Sequence, residues 1–313
     1  MIKEKIIVLG ANGFLGVHLC HAIIKSNFEV IAMVRNKQSK NIENLKKEGI
    51  TIDFVGDLFK KKTFKKKYTD IKYLVNLAAL AHVDIGKKIV SKREIERLNN
   101  VEKNIINNFK NKNLKIIHIS SAKVIEKKQQ VNNKNLSAYI RVKINGEEVI
   151  RKYYKNYIIL RPALVYGPGV KANFLNLIKA IDYNIPLPFK LLNNKRSYLY
   201  VENLMDAIIH IINNKHFYGK SYYLSDINNL STGKLTQIIA KCLSKKARLF
   251  YFPYKLMKVS FNFFGKIDIF NKVMEDFVID NKEFIKDTNW KAPYDLTYAI
   301  KKTCIWYRTR SKV

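Results

Sequence analysis

Cysteine is scarce in this chain: Cys20, Cys242 and Cys304 are the three in 313 residues, far apart and odd in number. That spacing excludes a disulfide framework and a CxxC metal or redox pair, and it suits a reducing cytosol. Long apolar runs are missing too. No stretch reaches the roughly 18 residues of a membrane-spanning helix, and the opening MIKEKIIVLG lacks the apolar run and small-residue cleavage site of a secretory signal. The expectation is a soluble, cytoplasmic protein. Acidic residues are in deficit, 25 against 58 Lys plus Arg, for a formal charge of +33. Such an excess attracts polyanions, but here it is spread over the whole chain and is almost all lysine, which is the pattern of a solvated surface. No nucleic-acid partner is expected. His18 and His21 have no acidic or Cys neighbour at ligand spacing, so no metal site is expected either.

What is present suffices for a core, with 47% hydrophobic and 12% aromatic residues. The runs KIIVLG, VIAMVR, TIDFVG, YLVNLAA, KIIHISS and YIILRPALVYG are β-branched and nearly continuous in apolarity, as parallel strands buried on both faces require. Amphipathic segments lie between them, among them Phe14 to Lys25, Glu94 to Lys110 and Tyr139 to Tyr153. Strand and helix in alternation predict an α/β Rossmann fold, a doubly wound parallel sheet. After about residue 167 the rhythm loosens into helical patterns: one after GPGVKA, one capped near Asn203, and one in LSTGKLTQIIAKCL. The expected division is a dinucleotide-binding domain over 1–167 and a smaller, mainly helical substrate lobe over 168–313, with interleaved segments and a shared cleft. The aromatic, basic stretch LFYFPYKLMKVSFNFFG (249–265) is expected to be a helix packed on that lobe, with an anionic membrane surface as its alternative partner.

In IIVLGANGFLGVHLC, Gly10, Gly13 and Gly16 sit between the first strand and the first helix. A tight turn there needs positive φ, and a pyrophosphate can approach only where no Cβ intervenes, with the helix N-terminus, Phe14 and Leu15, supplying free N–H groups. The competing reading is a glycine turn of purely structural origin; the strand-turn-helix setting favours dinucleotide binding. NAD enzymes place an acid at the end of the second strand for the ribose hydroxyls. VIAMVRN has none and carries Arg35, suited to a 2′-phosphate, so NADP is favoured and NAD is the alternative.

In LSAYIRVK, Tyr139 and Lys143 are four apart and share a helix face. A phenol ordinarily titrates near 10 and relays protons poorly at neutral pH; a cation within a few ångströms favours the phenolate. Upstream, IIHISSAKVIE puts Ser121 just past the fifth strand.

Together these motifs resemble the extended short-chain dehydrogenase/reductase family of NAD-dependent epimerase/dehydratase type, over roughly residues 4 to 307. The resemblance implies a catalytic set of Ser121, Tyr139 and Lys143. It implies cofactor contacts from Asp57 and Leu58 in VGDL, from Leu77, Ala78 and Ala79 in NLAA, and from Asn100 in NNVEKN. Three departures stand out: Lys103 replaces the usual Gly, Val142 the usual Ser, and SSAKVI carries Ile125 where the family has Tyr. LRPALVYGPG and KRSYLYVENLMDAI resemble signatures of sugar-nucleotide members. They imply Arg196 on the diphosphate and Asn173 and Phe174 in the sugar-nucleotide pocket, with core packing as the alternative for Phe174. His82, just beyond the fourth strand, is a further candidate against the sugar.

The family's dehydratases carry Asp-Glu directly after the catalytic Ser or Thr. Here Ala122-Lys123 follows, which disfavours dehydration. The segment 160–204 looks most like enzymes that reduce a UDP-linked 4-keto-6-deoxy-N-acetylhexosamine at C4 for bacterial surface polysaccharide. A UDP-sugar 4-epimerase with tightly bound NAD is the alternative. A dinucleotide-binding regulator is the non-enzyme reading, and the presence of both Tyr139 and Lys143 opposes it. A homodimer through two helices, one bearing the Tyr-Lys pair, is also implied.

Overall fold

The structure, a computed structural model, describes residues 3–35, 40–58, 60, 68, 71–78, 100–109, 111, 113–125, 137–226, 229–265 and 267–310. Its strands are β1 (Lys5–Leu9), β2 (Glu29–Val34), β3 (Thr51–Phe54), β4 (Tyr73–Asn76), β5 (Lys115–Ile119), β6 (Tyr157–Pro162), β7 (Leu164–Tyr166), β8 (Tyr198–Tyr200) and β9 (Lys220–Leu224). Its helices are α1 (Phe14–Lys25), α2 (Lys40–Lys47), α3 (Asn100–Asn108), α4 (Ala138–Tyr153), α5 (Ala172–Asp182), α6 (Val201–Asn214), α7 (Thr232–Cys242), α8 (Tyr254–Phe263), α9 (Ile267–Met274), α10 (Lys282–Thr288) and α11 (Leu296–Arg310).

Seven strands form one wholly parallel sheet in the order β3-β2-β1-β4-β5-β6-β9. The central strands are nearly continuous in apolarity because both faces are covered: Ile6, Ile7, Val8 and Leu9 of β1 have no exposed surface. On one face Ile7, Leu9, Leu74, Ile116 and Ile159 pack on Val101, Ile105 and Phe109 of the α3 segment and Ile150 of α4. α1 packs on β1 and β2 and buries Leu19, Cys20 and Ile23. The strand order reverses between β1 and β4, and a sheet of this kind opens its ligand crevice at the carboxyl ends of those strands.

Two units divide the chain, each built from three stretches. The sheet unit takes Met1–Pro162, Leu204–Leu224 and Asn281–Lys291. Its last stretch is anchored where Trp290 Nε1 donates to Asp206 Oδ1 at 2.7 Å. The other unit takes Ala163–Asn203, Ser225–Asp280 and Ala292–Val313. It is mainly helical, with β7 and β8 as a short parallel pair, and α7 packs on both α5 and α11.

Three features depart from the expectation. YIILRPALVYG is two strands: β6 ends at Pro162, which has no N–H to give a ladder, and β7 pairs with β8 in a separate sheet. KSYYL forms the unexpected seventh strand; as an edge strand it alternates buried and partly exposed positions and lacks a continuous apolar run. α6 starts at Val201, directly after β8, so Asn203 does not cap it; its amide bonds Asp226 Oδ1 and the Tyr294 carbonyl. The helix expected over 94–110 is α3, with 94–99 outside the described residues.

Candidate active site

Each glycine of the first turn has its own job. Gly10 has φ of +78°, and an added Cβ would sit 3.2 Å from the Ala78 nitrogen, so the residue both makes the turn and lets the end of β4 close in. At Gly16 a Cβ would lie 2.3 Å from the Gly10 carbonyl oxygen, which only glycine avoids if α1 is to pack on the turn. At Gly13 a Cβ would meet only the Gly10 oxygen, at 3.2 Å, leaving the chain open to a close ligand. Gly13 is the N-cap of α1; no side chain caps the helix and its first turn, Phe14 and Leu15 included, holds no acid. An uncapped helix start behind a turn with glycine at both ends, Gly10 and Gly13, is a fit for a dinucleotide pyrophosphate.

The other expected cofactor residues lie on the same strand ends. Arg35 is exposed immediately past β2. Asp57 is half-buried and Leu58 buried in the turn after β3, and Asn104 of α3 clamps that turn by donating to the carbonyls of Leu58 and Lys60, both at 2.8 Å. Leu77 N–H donates to the Leu9 carbonyl, and Ala78 N–H to Asn76 Oδ1 at 3.1 Å. That second bond fixes the Asn76 amide so that its Nδ2 donates to His118 Nδ1 at 3.0 Å, joining registered neighbours on β4 and β5. Asn100 is half-buried at the start of α3. Ala79 and His82 lie outside the described residues.

Ser121 follows β5, half-buried, and its Oγ accepts from the Lys123 N–H at 3.3 Å in a 3-10 turn over Ala122–Ile125. Tyr139 is half-buried in the first turn of α4, whose N-cap Ser137 accepts from the Ile140 N–H. Lys143, one turn on, is buried, and its ammonium donates to the Ile119 carbonyl at 2.8 Å. That bond ties the Tyr-Lys helix to the strand end that leads into Ser121. A second anchor holds α4 from below. Glu147 is almost fully buried and accepts from Arg161 Nε at 2.8 Å and Nη2 at 2.5 Å, and from Arg151 Nη2 at 2.6 Å. Burial alone would raise the Glu147 pKa, but the Arg161 hydrogen bonds and the two guanidinium charges outweigh it and hold the carboxyl below the usual range.

Three buried polar groups around this anchor escaped the sequence reading. Burial lowers the His118 pKa to about 3, with the Lys143 charge adding to it, so the ring is neutral, as its acceptor role toward Asn76 requires. Glu102 of α3 is buried beside Gly146, where an added Cβ would lie 2.9 Å from its Oε1; burial raises its pKa to about 7 against the partial opposition of Lys143. Its Oε2 has no hydrogen-bond partner among the described residues. The third is Arg161. A strand as apolar as KIIHI or YIILRP with one polar residue inside it is the signal that could have pointed to His118 and Arg161. Because the folded state holds a proton on Glu102 that the unfolded chain releases above 4.5, stability falls as pH rises from about 4.5 to about 7. Glu102→Gln should therefore be more stable than the parent by on the order of 3 kcal/mol near pH 8. Thermal melts should show the difference closing near pH 5; a pH-independent difference would refute the assignment.

The sequence pattern of the NAD dependent epimerase/dehydratase family matches residues 6–225, most of the chain. The chain belongs to that family. It is an extended short-chain dehydrogenase/reductase, an enzyme of oxidoreductase or isomerase type. A UDP-glucose 4-epimerase of Vibrio cholerae is 28% identical, over 96% of this chain and 95% of its own. A CDP-abequose synthase of Salmonella typhimurium is 26% identical, over 96% and 97%. An enzyme of Bordetella bronchiseptica solved with NAD+ and UDP has the same fold, with a TM-score of 0.75 at 16% identity, covering 99% of this chain and 94% of that one.

In the helical unit of this epimerase/dehydratase family member, Arg196 bridges to Leu230 and Phe277 through its backbone. Its guanidinium donates to the Glu275 carbonyl and lies 5.9 Å from the Phe277 ring centre, and burial lowers its pKa. Phe174 is buried, stacked on Tyr166 at 4.9 Å with Tyr198 edge-on, so its faces are used in packing. Asn173 beside it is exposed at the start of α5. Among the described residues no group of His, Cys, Asp or Glu could hold a metal ion.

Proposed function

We propose that this enzyme reduces a UDP-linked 4-keto-6-deoxy-N-acetylhexosamine at C4 with NADPH, in the cytoplasm, as a step toward bacterial surface polysaccharide. When bound, the nicotinamide supplies the hydride that reaches C4. Tyr139 gives its hydroxyl proton to the carbonyl oxygen, and Ser121 Oγ orients that oxygen. Lys143 shares the helix face of Tyr139, and the N–H donors it does not give to the Ile119 carbonyl are for the ribose hydroxyls. The glycine turn with Phe14 and Leu15 takes the pyrophosphate, Asp57 and Leu58 the adenine end, and Leu77, Ala78 and Asn100 the nicotinamide ribose. Arg196 takes the sugar-nucleotide diphosphate and Asn173 the sugar. Dimerisation through α3 and α4, which pack on each other in one chain, is part of the same proposal.

Dehydration is disfavoured because Ala122 and Lys123, buried and half-buried, fill the place of an acid-base carboxylate pair. The observation that carries reduction over epimerisation is Arg35, exposed at a β2 end that holds no acid. Charge-assisted hydrogen bonds of this kind are worth about 1.5 to 3 kcal/mol, so Arg35→Ala should raise KM for NADPH about tenfold to a hundredfold and leave NADH unaffected. The 4-epimerase is the second reading, favoured by the name of the Vibrio relative. An enzyme purified with tightly held NAD+, interconverting UDP-hexoses without consuming reduced cofactor, would establish it instead.

A further inference from the structure

Within the segment 249–265 the helix is α8, Tyr254–Phe263, and most of its surface faces away from the lobe. In α8 the inner stripe is Met257 and Phe261, four apart; these and Tyr254 meet the buried ring of Phe270, with Phe189 and Met274 in the same cluster. A second apolar stripe, Leu256, Val259 and Phe263 at spacings of three and four, runs along the outside. Those residues are 57%, 66% and 84% exposed, and Phe264 follows at 69%. The chain just before the helix adds exposed Phe250, Tyr251 and Phe252. A helix apolar on two sides with only one of them packed leaves a contiguous surface that water does not favour.

Charge narrows what covers it. From Leu243 to Gly265 there are five basic residues, Lys245, Lys246, Arg248, Lys255 and Lys258, and no acidic one. A second copy of this chain would bring the same cations to the same place, and like charges in apposition oppose that pairing. Single-stranded nucleic acid is held by bases stacking on successive aromatic rings along a basic groove, whereas on the outer stripe of α8 the ring of Phe263 shares the surface with aliphatic Leu256 and Val259. α8 has ten residues, about 15 Å of helix, far short of a bilayer span. The remaining match is a negatively charged lipid surface, with the apolar stripe laid in the headgroup boundary and the flanking lysines reaching outward to phosphates.

We propose that residues 250–264 dock the enzyme on an anionic phospholipid bilayer. The docking is independent of which sugar the active site reduces.

The intact enzyme should co-sediment with vesicles of phosphatidylcholine containing phosphatidylglycerol, far less with phosphatidylcholine alone, and less as salt rises. Leu256→Ser/Val259→Ser/Phe263→Ser should abolish binding, and Lys255→Ala/Lys258→Ala should weaken it roughly fivefold for each charge removed. Both variants should retain the parent's melting temperature and turnover. As a check that needs no loss of function, Phe263→Trp should shift its emission to the blue on adding the anionic vesicles. No sedimentation by the parent, undiminished binding by the triple variant, or an unshifted Phe263→Trp emission would each overturn the proposal. So would a fall in solution mass on the triple substitution, which marks a second copy as the occupant, or displacement from the vesicles by single-stranded DNA.

Discussion

Tyr139→Phe should lose about a hundredfold to ten-thousandfold in kcat while cofactor affinity and melting temperature stay at the parent's values. Tyr139 is the proposed proton donor, and the substitution removes its hydroxyl alone. The phenyl ring preserves packing, because Tyr139 is only half-buried and, among the described residues, no hydrogen bond to its hydroxyl anchors the helix. Helix position depends instead on Lys143 and Glu147, which are untouched. Loss of activity with intact nucleotide binding is thus the signature of a missing proton donor. If turnover survives, the proton comes from elsewhere and the catalytic set is wrong.

The largest effect on stability should come from Glu147→Ala. The carboxylate binds Arg161 through both oxygens, and the Arg161 guanidinium also lies 5.1 Å from the Tyr223 ring centre, so one side chain on α4 fastens the helix to β6 and to β9. Removing the carboxylate leaves a largely buried cation uncompensated, at a cost of about 3 to 5 kcal/mol. Arg151→Ala, which removes a guanidinium that is itself more than a third exposed, should cost less than about 1 kcal/mol. Glu147→Leu combined with Arg161→Met should recover much of the loss, because an apolar pair needs no compensation. The sign with pH follows from the depressed carboxyl: its contribution is fully present above the ordinary value of 4.5 and disappears as pH falls through the lower folded value. Denaturant titrations of the three variants at neutral pH measure these differences. Equal losses for Glu147→Ala and Arg151→Ala would show that the anchor is not the buried pair.

How far the sequence revealed this protein depended on periodicity. β1, β2, β4 and β5 were plain because strands buried on both faces are nearly continuous in apolarity, and α1 matched its predicted limits because the glycine turn fixed its start. β9 was hidden for the opposite reason: with one edge open, KSYYL alternates and looks like an irregular segment. The lower support of the site was equally hidden. Glu102, His118 and Arg161 interact across α3, α4, β5 and β6, and no local pattern announces a contact made only by tertiary packing. For Phe174 the sequence left pocket lining and core packing both open, and the structure shows its ring stacked on Tyr166. For the aromatic helix α8, sequence alone could not say how many of its apolar stripes would be packed, and the structure buries one of two.

Net reduction at C4 by Tyr139, Ser121 and Lys143 can be followed by incubating the enzyme with a UDP-linked 4-keto-6-deoxy-N-acetylhexosamine and NADPH deuterated at the transferable position of the nicotinamide. One equivalent of NADPH should be consumed per sugar and deuterium should be bound to carbon at C4 of the product, with both lost in Tyr139→Phe. Interconversion of UDP-hexoses with no reduced cofactor consumed and no label in the product would contradict it.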